Sequence, residues 1–198
     1  MKNKSISTRL PYKIDINFKN SYSISQTSNF MNLTSIINKA HHSGFYLWLL
    51  NQGLNKMIPF NKPHGFKITK VTPDKIETKL PYKKRNMNHI KGIHACAMAT
   101  ISEYTTGLMI LYKLDVKKYR IIMQKLEMDY HFQAKMDAFG EFSIDDDWVK
   151  NEVEIPLQTK DSVVIPCEIK LYDRNKNHLS TGKIYWQIKQ WDKVRTKL

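Results

Sequence analysis

From Leu126 to Ala138 the chain alternates strictly: Leu126, Met128, Tyr130, Phe132, Ala134, Met136 and Ala138 are separated by Glu127, Asp129, His131, Gln133, Lys135 and Asp137. A period of two predicts a strand with one dry face. Alternation returns at Val153, Ile155 and Leu157, at Ile165, Cys167, Ile169 and Leu171, and at Ile184, Trp186 and Ile188. Each run predicts a strand, and the turn composition of Asp173 to Asn177 joins the last two. Upstream, Gly65 to Val71 and Lys75 to Leu80 flank the turn pair Pro73-Asp74 and predict a hairpin.

Two stretches carry a helical pattern instead. In residues 33–60 the apolar positions Ile36, Ile37, Ala40, Phe45, Trp48, Leu49, Leu54 and Met57 recur mostly every three to five residues. They predict one helix, or two short ones broken near Gly44 or Gly53, closed by Pro59. Residues 92–113 are rich in Ala, Met, Leu and Ile and almost free of charge. A helix apolar on nearly all sides is buried all round, so something must wrap it. Two strands, one buried helix and about four more strands, with no second helix long enough to cross a parallel sheet, define an antiparallel α+β fold. Residues 1–32 lack any sustained period and are expected to form a flexible basic arm; 33–198 form one domain.

Charge changes the picture only at the N-terminal side. The formal net charge is +14, and residues 1–90 hold 15 Lys/Arg against 3 Asp/Glu, while the remainder holds 17 against 15. Such an excess favours polyanionic partners: nucleic acid, anionic lipid or the phosphates of a coenzyme. Abundant Lys and Asn throughout the chain is the plainer explanation. Nucleic acid is disfavoured, because no recognised motif or aromatic-basic stacking array accompanies the charge. Peripheral membrane contact stays open, since Lys39, His41 and His42 precede the apolar run Phe45 to Leu50. Packing of that run on the domain is preferred. The two cysteines, Cys96 and Cys167, have no paired spacing, and no apolar run reaches bilayer length. A cytoplasmic protein is expected. His41, His42 and His64 show no metal-ligand spacing, and no metal is expected.

Candidate chemistry centres on the buried helix. Glu103 stands alone in an otherwise uncharged segment, where burial raises a carboxyl toward the working range of a general base. The alternative is a narrow wet stripe, or a hydrogen bond from Ser102 or Thr106. Asn88, His89, Gly92 and His94 crowd the approach to the helix, whose free amide hydrogens suit a developing oxyanion.

The pattern Asn88, His94, Glu103, within Asn-His-Ile-Lys-Gly-Ile-His-Ala-Cys-Ala-Met-Ala-Thr-Ile-Ser-Glu, resembles the hotdog thioesterases of the PaaI type, and most of all an uncharacterised branch of them. The resemblance spans roughly residues 45–190. It implies a hotdog fold, hydrolysis of an acyl-CoA-type thioester, and Glu103 as general base or nucleophile. It further implies that the Ala95 amide binds the carbonyl oxygen, that Asn88 positions the nucleophile, and that His94 supports the site. Better-studied relatives have Gly-Gly where this chain has Ala95-Cys96, and alanine tolerates positive φ poorly. His89 and Gly92 are candidates for substrate contact. Lys83, Lys84 and Arg85 are candidates for the coenzyme phosphates, against the plainer reading of a solvated turn. No cofactor is expected beyond the coenzyme A of the substrate.

Spacing predicts the assembly. Ala95 and Glu103 are eight residues apart, about 12 Å along a helix axis, too far to act on one carbonyl carbon. If both act they come from different chains, which implies a homodimer with two sites at its interface. A tetramer is left open. Two other functions remain. One is hydration or dehydration of an acyl thioester, favoured by the fourteen-residue interval from His89 to Glu103 but lacking the Pro and Gly pattern of such enzymes. The other is non-catalytic binding of an acyl thioester.

Overall fold

The long helix begins where His94 stops the extended chain. In a computed structural model of the protein, which describes residues 34–194, His94 takes φ −66° and ψ 138°, and its Nδ1 accepts the Cys96 N–H at 3.1 Å. That cap opens helix α3 (Ala95–Lys113). Gly92 and Ile93 belong to the approach rather than the helix. Ile93 bridges Met87, and its N–H donates to Ala134 O at 2.8 Å. Apolar side chains from Ala97 to Ile110 bury around the helix. The hydroxyls of Ser102, Thr105 and Thr106 bury with them because each donates to a carbonyl one turn back.

Around α3 wraps a six-stranded sheet, antiparallel at every pairing, in the order β1-β2-β4-β5-β6-β3. The strands are β1 (Lys67–Thr72), β2 (Lys75–Leu80), β3 (Tyr119–Tyr130), β4 (Ala138–Ser143), β5 (Val163–Asp173) and β6 (His178–Gln190). β5 shows why sheet and helix meet: Val163, Ile165, Cys167, Ile169 and Leu171 are buried and every intervening residue is exposed. The buried Cys167 thiol is pushed up to about 12.

Before the sheet stand α1, residues 34–40, and α2 (Gly44–Met57), so the N-terminal pattern breaks just ahead of Gly44 while Gly53 stays helical. Leu50 and Leu54 bury the inner face of α2. Its Asn51 clamps β1, donating to Ile68 O at 3.0 Å and accepting the Ile68 N–H at 2.8 Å. β1 starts two residues later than expected because Gly65, at φ 64°, closes a 3-10 turn over Lys62–His64.

Two strand expectations are corrected. The alternation through Ala138 is not one strand: β3 ends at Tyr130, and the N–H groups of His131 and Phe132 both turn to Leu179 O. Nor is its apolar face dry, for Tyr130 is 46% and Phe132 53% exposed. Val153, Ile155 and Leu157 are not a strand either. Asp145 caps α4 (Asp146–Val149), accepting the Trp148 N–H at 2.7 Å, and a helical path continues through Gln158. There Val149, Val153 and Leu157 bury at intervals of four, which three apolar residues two apart could not distinguish from a strand.

Residues 1–32, the expected arm, lie outside the described residues. Among the described residues no helix is long and apolar enough to cross a membrane.

Candidate active site

Glu103 lies midway along α3 and lines a cavity of about 490 Å³. Facing it are Ile121, Met123 and Leu126 of β3 and Trp186 of β6, and the chain leaving α2 closes one side with Ile58, Phe60 and Asn61. The surroundings are almost wholly apolar. Burial therefore holds the half-buried Glu103 carboxyl above the ordinary carboxylate range. The hydrogen bonds that would make it merely structural go elsewhere: Ser102 Oγ donates to Met98 O, and Thr106 Oγ1 to Ser102 O or Glu103 O. Among the described residues nothing donates to the carboxylate. Desolvation, and after it the neighbouring Glu103 charge, raise the buried Tyr104 hydroxyl.

The approach to α3 forms a second, separate depression of about 310 Å³, lined among others by Asn88, Ala95, Met98, Tyr130 and Phe132. Asn88 Oδ1 accepts the N–H of Gly92 at 2.9 Å and of Ile90 at 3.1 Å, so this side chain builds the loop that delivers the chain to the helix. Buried Gly92 lies where an added Cβ would come 3.1 Å from Gln133 Cγ. Ala95 is the first helical residue and takes no positive φ; among non-glycine residues described, only Lys91 and Lys176 do. Its N–H has no acceptor among the described residues, whereas the next one, of Cys96, is taken by His94. His94 thus serves as the helix cap. His89 is exposed and lines neither depression.

Within one chain, then, Glu103 is not brought together with Asn88, His94 or Ala95. Both depressions border β3, however, at its opposite ends: Ile121 to Leu126 for the carboxylate, Tyr130 onward for the free amide. Among the described residues β3 is an edge strand pairing only β6, and it exposes Ile122 and Met123 at 45% and 42%.

Lys83, Lys84 and Arg85 line a third depression, of about 540 Å³, with Lys62 and Pro63. Lys62 directly follows Asn61 of the Glu103 cavity, so the basic cluster and the cavity wall are joined through adjacent residues. Desolvation, then Arg85 and Lys67, lower the Lys83 amine, as expected where cations crowd. Among the described residues no three His, Cys, Asp or Glu side chains gather in a way that could hold a metal ion.

Three residues escaped the sequence reading. Asn61, 4% exposed, brings an amide to the cavity wall. Lys62 joins the basic cluster only through folding. Asn86, 1% exposed, donates to the carbonyls of His64 and Pro81 and accepts through its own carbonyl the N–H of His94. The sole signal for Asn86 was a neutral residue ending a basic run.

A buried helix wrapped by six antiparallel strands, with a helical segment ahead of it, is the hotdog fold. Residues 47–188 match the domain of unknown function DUF4442, and the chain belongs to that family. No curated protein matches it. A Pseudomonas aeruginosa protein of unknown function, designated "Probable Thioesterase", aligns with TM-score 0.66 at 20% identity, over 71% of this chain and 94% of its own. A thioesterase from Haemophilus influenzae aligns with TM-score 0.54 at 12% identity, over 70% and 90%. A thioesterase enzyme from Staphylococcus aureus, solved as a mutant, gives 0.53 at 13%, over 66% and 98%. At such identities the likeness concerns the fold.

Proposed function

We propose that the protein hydrolyses an acyl-CoA-type thioester at sites shared between two copies of the chain. The observation that carries this reading is an unpartnered carboxylate, Glu103, held in an apolar cavity with its ionisation disfavoured. Such a group activates water or attacks a thioester carbonyl directly. The acyl chain occupies the apolar cavity, and Asn61 orients the attacking water or the carbonyl. The Ala95 N–H, free at a helix N-terminus, stabilises the tetrahedral oxyanion. Lys62, Lys83, Lys84 and Arg85 pair with the coenzyme phosphates.

The exposed β3 edge, bordered by both depressions, supports this sharing, which antiparallel pairing of two such edges about a two-fold near Leu126 would provide. Such pairing would set Tyr130 of one copy opposite Ile122 of the other, so the amide depression of each chain would meet the carboxylate cavity of its mate. The same pairing would cover the exposed apolar residues of β3.

A panel of acyl-CoA substrates assayed with the wild type and with Glu103→Gln tests the reading. The expected loss in rate is about 10²- to 10⁴-fold. Hydrolysis that persists in the variant removes Glu103 from the mechanism. Addition of water to an enoyl thioester in place of cleavage would reassign the site to hydration.

A further inference from the structure

The chain leaving α2 closes one side of the Glu103 cavity, and the outward face of that helix carries groups the hydrolysis does not use. Phe45 and Trp48, one turn apart, are 65% and 56% exposed. Their rings stack on each other with centroids 6.0 Å apart and planes at 30°. Leu50 and Leu54 bury on the opposite side, so the aromatic pair points away from the domain. Past Pro59 the apolar line resumes at Phe60, 67% exposed and itself part of the cavity wall.

Cations frame this face. Lys39 lies with its Nζ 5.1 Å over the Tyr46 ring, Lys56 sits in the last turn of α2, and Lys62 leads into the cluster with Lys83, Lys84 and Arg85. Residues 34–90 contain ten Lys/Arg and only two acids, Asp74 and Glu77. Both acids are already paired, to Lys113 and Lys75 respectively. A bare aromatic pair ringed by unpaired-for cationic charge matches the boundary between phospholipid headgroups and acyl chains. Nucleic acid is the poorer match, because the two ring faces that would stack on bases are turned to each other.

We propose that the outward face of α2 docks on an anionic phospholipid bilayer. Phe45 and Trp48 seat at the headgroup boundary, and Lys39 and Lys56, which the hydrolysis does not use, attract the lipid phosphates. Docked in this way, the cavity wall at Ile58 and Phe60 lies beside the lipid phase, where acyl chains partition. The proposal does not depend on the hydrolytic reading.

The test is co-sedimentation of the full chain with vesicles of phosphatidylcholine alone and with about one third phosphatidylglycerol. The wild type is expected to bind the anionic vesicles and release at high salt. Phe45→Ser with Trp48→Ser should weaken binding about tenfold or more, with the thermal midpoint unchanged because both side chains are exposed. Trp48→Phe alone should retain binding. Three results overturn the proposal: no binding by the wild type, equal binding by the double variant, or a smaller molecular mass of the double variant in lipid-free solution, which would show the face to be covered by a second copy.

Discussion

Gly107 and Trp186 are in direct contact: a Cβ built on Gly107 would lie 2.7 Å from Trp186 Cη2 and 3.8 Å from Glu103 Oε1. The indole is fixed from its other end, where Nε1 donates to Thr106 Oγ1 at 3.1 Å. One missing methyl group therefore lets the ring come close against α3 beside the carboxylate.

Gly107→Ala must displace that ring. It is expected to lower stability by about 1–3 kcal/mol and to narrow the cavity. Denaturant unfolding reads the first effect. The acyl-CoA panel reads the second, as a selective loss of the longest or bulkiest substrates; Trp186→Phe should shift preference the opposite way.

Glu103 links stability to pH. Its folded carboxyl lies above the ordinary 4.5, so the native state holds a proton that the unfolded chain gives up. Stability is lost as pH rises from 4.5 through the raised value, and the deficit is complete above it. Glu103→Gln, which cannot ionise, should match the wild type in acid and exceed it at neutral pH. Unfolding midpoints of both proteins across that range check the sign. In the wild type, hydrolysis should climb over the same window as the carboxylate forms.

Ala95→Pro isolates the amide. Position 95 is the first of the helix, where proline is tolerated, and His94 before it already has the extended backbone that proline demands. The variant should fold and lose about 10²- to 10³-fold in rate. Mixed with Glu103→Gln under conditions of subunit exchange, it should recover up to about a quarter of wild-type activity, since a mixed dimer keeps one intact site in two. Failure of the mixture to recover would place carboxylate and amide in separate sites.

Asn86→Ala leaves the His64 and Pro81 carbonyls without their buried donor. A loss of about 2–4 kcal/mol is expected, with the entry to α3 loosened because His94 docks on the same residue. Hydrogen exchange should show the first turn of α3 opening before its middle.

How much of this was legible depended on whether a residue's neighbours lie close in sequence. The wrapped helix could be read because nearly every side chain of α3 from Ala97 to Ile110 is buried, and such a helix admits few architectures. β5 and β6 could be read because one face of each is dry. β3 misled in the opposite way: Tyr130 and Phe132 alternate as core residues do, yet they stand exposed at an edge. A pattern reports which residues avoid water, and it is silent on whether another strand or another molecule provides the shelter. Glu103 was conspicuous by isolation. Asn61, Asn86 and Lys62 were not, since each is defined by partners supplied through folding.

The two margins of the sheet are finished differently. β1 is short and turns Lys67 and Lys70 outward, a margin that rejects stray strands. β3 runs twelve residues and offers isoleucine and methionine instead. Under the proposed pairing of two copies through β3, a freshly made chain would be safe on one flank and adhesive on the other, which would tie colloidal behaviour to assembly. Overproduced chains prevented from pairing by a bulky substitution in β3 that leaves its apolar side chains bare are expected to precipitate where the parent stays clear.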